Sequence, residues 1–125
     1  MKTVMFDLDG TLLPMDQDVF GKAYFGGMAK KMAPYGYDPQ NLVKAIWTGT
    51  EAMVKNDGSV RNDEAFWACF ATIFGPDVRK DEPIFEEYYY NEFQQVRNVC
   101  CFDPEAGQTV KKLKQMGFRL VLATN

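Results

Sequence analysis

The sequence has no histidine, and that removes every arrangement in which an imidazole activates a serine or cysteine nucleophile, along with most zinc sites. Cysteine is scarce. Cys69, Cys100 and Cys101 are the three present, an odd set with two adjacent and no C-x-x-C spacing, so neither a disulfide framework nor a metal-binding pair is encoded. They are expected to be small buried apolar residues. Long hydrophobic runs are missing as well: Val4-Met5-Phe6 is interrupted at once by Asp7, and no stretch approaches the roughly 20 apolar residues of a bilayer crossing or the pattern of a secretory leader. A reducing, cytoplasmic location is therefore expected. Positive charge is in deficit, fourteen Lys plus Arg against seventeen Asp plus Glu for a net charge of −3. No general field draws in nucleic acid or an anionic membrane, so neither is an expected partner, and a small anion needs a local site.

Apolar material is plentiful. Of the 125 residues, 46% are hydrophobic and 14% aromatic, sufficient to build a core in one compact domain or a piece of two. Thr3-Val4-Met5-Phe6 reads as a strand buried on both faces. Apolar positions Phe20, Tyr24, Met28 and Met32 then recur at a spacing of four, predicting a helix from Asp16 to Met32 that Gly21, Gly26 and Gly27 weaken. Asp38-Pro39 is a capping carboxylate followed by proline at the first helical position. The helix it starts is expected to bury Leu42, Val43, Ile46, Trp47, Met53 and Val54, and to end at Asn56-Asp57-Gly58. A third helix is capped at Asn62, carries Phe66, Trp67, Phe70, Ile73 and Phe74 on one face, and stops at Gly75-Pro76. A fourth is expected from Asp81-Glu82-Pro83 through Val96, with Phe85, Tyr88, Tyr89 and Phe93 inward. Four such helices make a small bundle.

After Cys100-Cys101-Phe102 the pattern changes. Asp103-Pro104 opens a helix with Ala106, Val110 and Leu113 inward and Lys111, Lys112 and Lys114 outward, closed by Gly117. Phe118 to Ala123 is a nearly continuous apolar strand ending in Thr124-Asn125. The predicted order is strand, helical insert, helix, strand, with the two strands as parallel neighbours. Two strands and one helix do not cover a parallel sheet on both faces, so the α/β part is expected to be an N-terminal portion, with the missing C-terminal half of the core as a partner.

Chemistry concentrates at the ends of the two strands. Asp7 and Asp9 lie where the first strand stops, and a spacing of two directs both side chains to one side. Ligands of open α/β sheets bind beyond the carboxyl ends of the strands, where this pair and Thr124-Asn125 both fall. Two neighbouring carboxylates suit Mg²⁺, which takes one or two of them and keeps its other positions for water and substrate phosphate. Positive charge there relieves the repulsion that a carboxylate meets on attacking a phosphate dianion. Asp7 is then suited to nucleophilic attack and Asp9 to proton transfer. Gly10 allows a tight turn close to phosphate, the Thr11 hydroxyl is expected to pin that turn, and Thr124 and Asn125 offer uncharged donors to a phosphate oxygen.

Val4-Met5-Phe6-Asp7-Leu8-Asp9-Gly10-Thr11-Leu12-Leu13 resembles the first motif of the haloacid dehalogenase (HAD) superfamily, and Leu120-Val121-Leu122-Ala123-Thr124-Asn125 resembles its second. The resemblance implies a partial Rossmann-like α/β core from residues 1–14 and 101–125, with residues 15–100 as an inserted α-helical bundle cap. It implies Asp7 as nucleophile and Mg²⁺ ligand, and Asp9 as acid and base that offers its backbone carbonyl to the metal. Thr124 and Asn125 would bind the phosphoryl group. The function implied is a Mg²⁺-dependent phosphomonoester hydrolase (phosphatase) acting on a small phosphorylated metabolite through an aspartyl-phosphate. Dehalogenases, phosphonatases and P-type ATPases of the superfamily lack the second aspartate, so Asp9 argues against them, whereas a phosphomutase retains it and stays open. The family's later lysine and later acidic residues have no counterpart here, so the 125-residue chain alone is expected to be inactive. A non-catalytic binding or structural half is the alternative from another class.

Simpler readings compete with these. Asp7 and Asp9 are also residue types that cap ordinary turns, and Thr124-Asn125 by itself is a plain strand end. An EF-hand is excluded, since its loop needs glycine at the sixth position and a preceding helix. Tyr88-Tyr89-Tyr90, Trp47 and Trp67 read as core packing rather than a base-stacking surface, because they keep helical spacing and lack interleaved basic residues.

Overall fold

β-branched and apolar residues form two short strands, β1 (Thr3–Phe6) and β2 (Arg119–Leu122), which pair in parallel with Thr3 opposite Arg119 and Phe6 opposite Leu122. The rest of the computed structural model, which describes residues 2–124, is mostly helical. Five α-helices follow one another as α1 (Gln17–Met32), α2 (Pro39–Val54), α3 (Asn62–Phe74), α4 (Glu82–Tyr90) and α5 (Pro104–Gln115), the last leading into β2. Three 3₁₀ segments, Ala33–Tyr35, Pro76–Asp81 and Glu92–Val99, fill the joints. Two compact units result: Met1–Tyr24 with Gln95–Asn125, and Phe25–Gln94.

Helix boundaries follow local chemistry. The Asp16 carboxylate accepts the Val19 N–H at 2.9 Å at the start of α1, Asp38 accepts that of Asn41 at 2.9 Å at the start of α2, and Asp103 accepts that of Glu105 at 2.8 Å at the start of α5. Each satisfies an amide that the helix itself leaves unpaired, worth about 1 kcal/mol per cap. At α3 the capping position belongs to Arg61 and not to Asn62, which is already helical. The Glu64 carboxylate reaches back to the Arg61 N–H at 3.3 Å. Gly75, with a left-handed φ of 97°, ends α3 as expected.

The helical unit holds its own core. Met28, Met32, Leu42, Ala45, Ile46, Trp67, Phe70, Phe85 and Tyr88 are buried, and each large apolar side chain removed from water contributes roughly 1.5–3 kcal/mol. Phe70 is the hub, with ring centroids 5.5 Å from Trp67, 4.9 Å from Phe74 and 5.7 Å from Phe85. On α2 the buried stripe is Leu42, Ala45, Ile46 and Gly49. Trp47 and Val54, expected inside, are 59% and 80% exposed. The stripe is narrow because α3 approaches closely at Gly49, where an added Cβ would lie 2.5 Å from the Phe66 ring. Ile73 and Tyr89 are likewise exposed. The fourth helix is shorter than its pattern suggests: α4 ends at Tyr90, and the chain continues to Val99 as 3₁₀ helix. The Lys31 ammonium, in the last turn of α1, pairs with Glu87 at 3.1 Å and Glu92 at 2.9 Å. Glu92, and then Glu87, hold its pKa above the usual lysine value.

The α/β unit is packed differently. No residue of β1, β2 or α5 is buried, and Met5, Leu122 and Phe102 are 66%, 53% and 86% exposed. A strand buried on both faces was the expectation for Thr3–Phe6. Burial of that kind needs further strands beside the pair and helices over both faces, whereas β2 has α5 packed on it and pairs with β1 alone among the described residues. Cys69 and Cys100 are half-buried and Cys101 is exposed, all three free thiols, so the expectation of buried cysteines fails at Cys101.

Two outcomes test the packing. Gly49→Ala forces a methyl into the Phe66 ring and is expected to cost about 1–3 kcal/mol of unfolding free energy in urea titrations. Gly21→Ala, at a helical site where an added Cβ meets nothing within 4 Å, is expected to gain about 0.5–1 kcal/mol. Burial pushes the Tyr88 phenol up to about 12, so the folded state favours its neutral form. That contribution is intact below the unfolded tyrosine value of about 10 and is lost as pH rises through about 12. Equilibrium unfolding across this window should show stability falling with pH, less steeply in Tyr88→Phe.

Candidate active site

Asp7 follows the last residue of β1, and its position is set by the sheet. The Phe6 carbonyl accepts the Ala123 N–H at 2.8 Å, so Asp7 and Thr124 both stand just past the carboxyl ends of adjacent parallel strands. Residues separated by more than a hundred positions are thereby brought to one edge. Asn125, expected to join them, lies outside the described residues.

Beyond Asp7 the backbone closes a small loop. The Leu8 carbonyl accepts N–H groups from Thr11 at 3.1 Å and Leu13 at 2.9 Å, and the Gly10 N–H donates to the Leu13 carbonyl at 2.9 Å. Gly10 has a left-handed φ of 75°, which a side chain would strain. The turn is held by main-chain bonds, with no hydrogen bond from the Thr11 hydroxyl among the described residues, contrary to the expectation that this group pins it. Leu8 and Leu13 anchor the loop through their main-chain atoms, a role that an apolar side chain does not advertise in the sequence. None of these bonds uses the Asp9 carbonyl.

Both carboxylates, Gly10, Thr11 and Thr124 are exposed. Neither Asp7 nor Asp9 has an ion-pair partner among the described residues, so two acids sit on adjoining backbone with no cation to offset them. Next to the loop, the Cys101 N–H donates to the Pro14 carbonyl at 2.8 Å, and Met15 bridges Cys100 in antiparallel fashion. The segments before α1 and before α5 thus touch at one point within the α/β unit.

A family model for haloacid dehalogenase-like hydrolase matches residues 1–125. The chain belongs to the haloacid dehalogenase-like hydrolases. No curated protein and no solved structure matches it. As a haloacid dehalogenase-like chain it has the expected parallel pairing of its two motif-bearing strands. Members of the family typically use a metal ion. The groups at this edge, two carboxylates and an uncommitted main-chain carbonyl, are hard oxygen donors of the kind Mg²⁺ selects. They fit part of such a shell: no cluster of three or more His, Cys, Asp or Glu side chains suited to a metal occurs among the described residues. No helix among those residues is long and apolar enough to cross a membrane.

Gly10→Ala tests the loop. An added Cβ meets nothing within 4 Å, so the expected loss of about 1–2 kcal/mol comes from backbone strain alone, and thermal melts of the variant should show it.

Proposed function

We propose that this chain carries the nucleophile of a phosphomonoester hydrolase that acts on a small phosphorylated metabolite through an aspartyl-phosphate. The observation that supports the reading is the pairing of β1 with β2, which puts Asp7 and Thr124 at one edge. Residues 15–100 are proposed as the helical cap of the α/β core. In the first step a carboxylate oxygen of Asp7 bonds to phosphorus, the ester P–O bond breaks, and Asp9 gives its proton to the departing alkoxide. In the second, water adds to phosphorus while Asp9 takes one of its protons, and the acyl-phosphate P–O bond breaks to release inorganic phosphate and restore the Asp7 carboxylate. Gly10 lets the loop turn tightly beside the phosphoryl group, whose oxygens the side chains of Thr11, Thr124 and Asn125 would orient. Mg²⁺, which Asp7 and the Asp9 carbonyl would hold, would supply the positive charge that offsets the approach of carboxylate to phosphate.

Two acids and a threonine are not a full site. A C-terminal half of the core is the proposed partner, supplying a cation that neutralises the phosphoryl group and the remaining metal ligands. A phosphomutase uses the same first step, and phosphate release to water separates it from the hydrolase. The three free thiols fit a reducing, cytoplasmic compartment.

The 125-residue chain alone is expected to release no phosphate from a panel of phosphate monoesters above the Asp7→Asn blank. With the complementing half present, a colorimetric phosphate assay should show turnover that chelation by EDTA removes and Mg²⁺ restores. Asp7→Asn should then lower kcat by on the order of 10⁴-fold or more and Asp9→Asn by about 10²–10⁴-fold. Full turnover by Asp7→Asn would refute the nucleophile.

A further inference from the structure

The helical unit contains a cleft of about 340 Å³, a size typical of small-molecule sites. It opens between the 3₁₀ segment after α1 and the one after α3. Tyr35, Tyr37 and Phe74 supply aromatic wall, and Asp77, Lys80 and Asp81 supply charge.

Tyr37 organises the cleft. The residue is 8% exposed, its ring set edge-on to Phe74 at 5.0 Å and to Phe85 at 5.8 Å. Its phenol donates to Asp81 Oδ2 at 2.7 Å. That bond aims a half-buried carboxylate and leaves its other oxygen, Oδ1, with no donor among the described residues. Asp77 and Lys80, one turn apart on the same 3₁₀ segment, make no ion pair among the described residues. Half of Tyr35 remains exposed at the rim.

We propose that this cleft binds a small ligand carrying an ammonium group on an apolar body about the size of a phenyl ring. Two carboxylates against one ammonium leave the lining net negative, which disfavours an anion. Aromatic faces attract a cation, and a carboxylate already aimed by Tyr37 loses little freedom when it accepts one. A neutral ligand of the same shape leaves Asp81 Oδ1 stripped of water without a charged partner, an unfavourable exchange. Lys80, on the same lining, opposes a bound ammonium through like-charge repulsion.

The test is an NMR titration of ¹⁵N-labelled chain with phenethylammonium, with 2-phenylethanol as the matched neutral and 3-phenylpropionate as the anion. Phenethylammonium should give saturable shifts at the amides of Tyr35, Gly36, Gly75, Asp77 and Asp81, with the alcohol and the anion at least about tenfold weaker. Asp81→Asn keeps an acceptor for Tyr37 and should weaken ammonium binding by about tenfold or more, while Lys80→Gln should tighten it by about two- to threefold. A merely structural Asp81 would not make binding depend on the ligand's charge. If Asp81→Asn fails to fold, exposed Asp77→Asn carries the test, with affinity expected to fall about two- to threefold. The absence of saturable shifts, equal binding of the alcohol, preference for the anion, or unchanged affinity in the folded Asp variant would each overturn the proposal.

Discussion

One hydrogen bond, from the Ala123 N–H to the Phe6 carbonyl, fixes where the ends of the two strands emerge. Parallel pairing has no tight-turn solution and requires a crossover, so β1 and β2 pair across the whole intervening chain. Once Phe6 faces Leu122, the residues that follow each strand emerge at the same edge. Asp7 and Thr124 stand at one edge because of that register. A slip by one residue would turn the side chains of one strand to the opposite face.

The two units obtain their order by different means. In the helical unit, aromatic rings packed around Phe70 and a glycine that admits the Phe66 ring produce a core of its own. The α/β unit has polar and main-chain order instead: a ladder, a closed loop after Asp7 and a capped helix over a pair of half-exposed strands. The first arrangement is stabilised by removal of surface from water; the second holds chemical groups in position while the apolar side chains of its strands and of α5 stay partly wet.

Much of this was legible in local sequence, and the exceptions have physical causes. Asp38-Pro39 and Asp103-Pro104 announce their helices because a carboxylate and a proline each satisfy a specific requirement of a first turn. Asp7, Asp9 and Gly10 are equally readable, since their spacing is tied to the end of a strand. Trp47 and Val54 misled because hydrophobicity is a property of the side chain, whereas which face is buried depends on where the neighbouring helix comes close, and here that point is Gly49. The end of α4 at Tyr90 has no glycine or proline beside it and so leaves no local trace. Arg61 replaces Asn62 as the cap because Glu64 answers its amide three residues later. The role of Leu8 and Leu13 lies in main-chain geometry, which side-chain identity does not encode.

The bridge between Met15 and Cys100, with the Cys101 N–H on the Pro14 carbonyl, makes a neck: everything from Asp16 to Val99 is an excursion that starts and finishes at the same spot. The entropy of closing such an excursion grows only with the logarithm of its length, so the strands are nearly indifferent to how much polypeptide hangs between them. A graft of another size or architecture at this neck would leave the pairing of Phe6 with Leu122 undisturbed. The fold thus lets the intervening segment vary in length while the strand pairing at its base is held fixed.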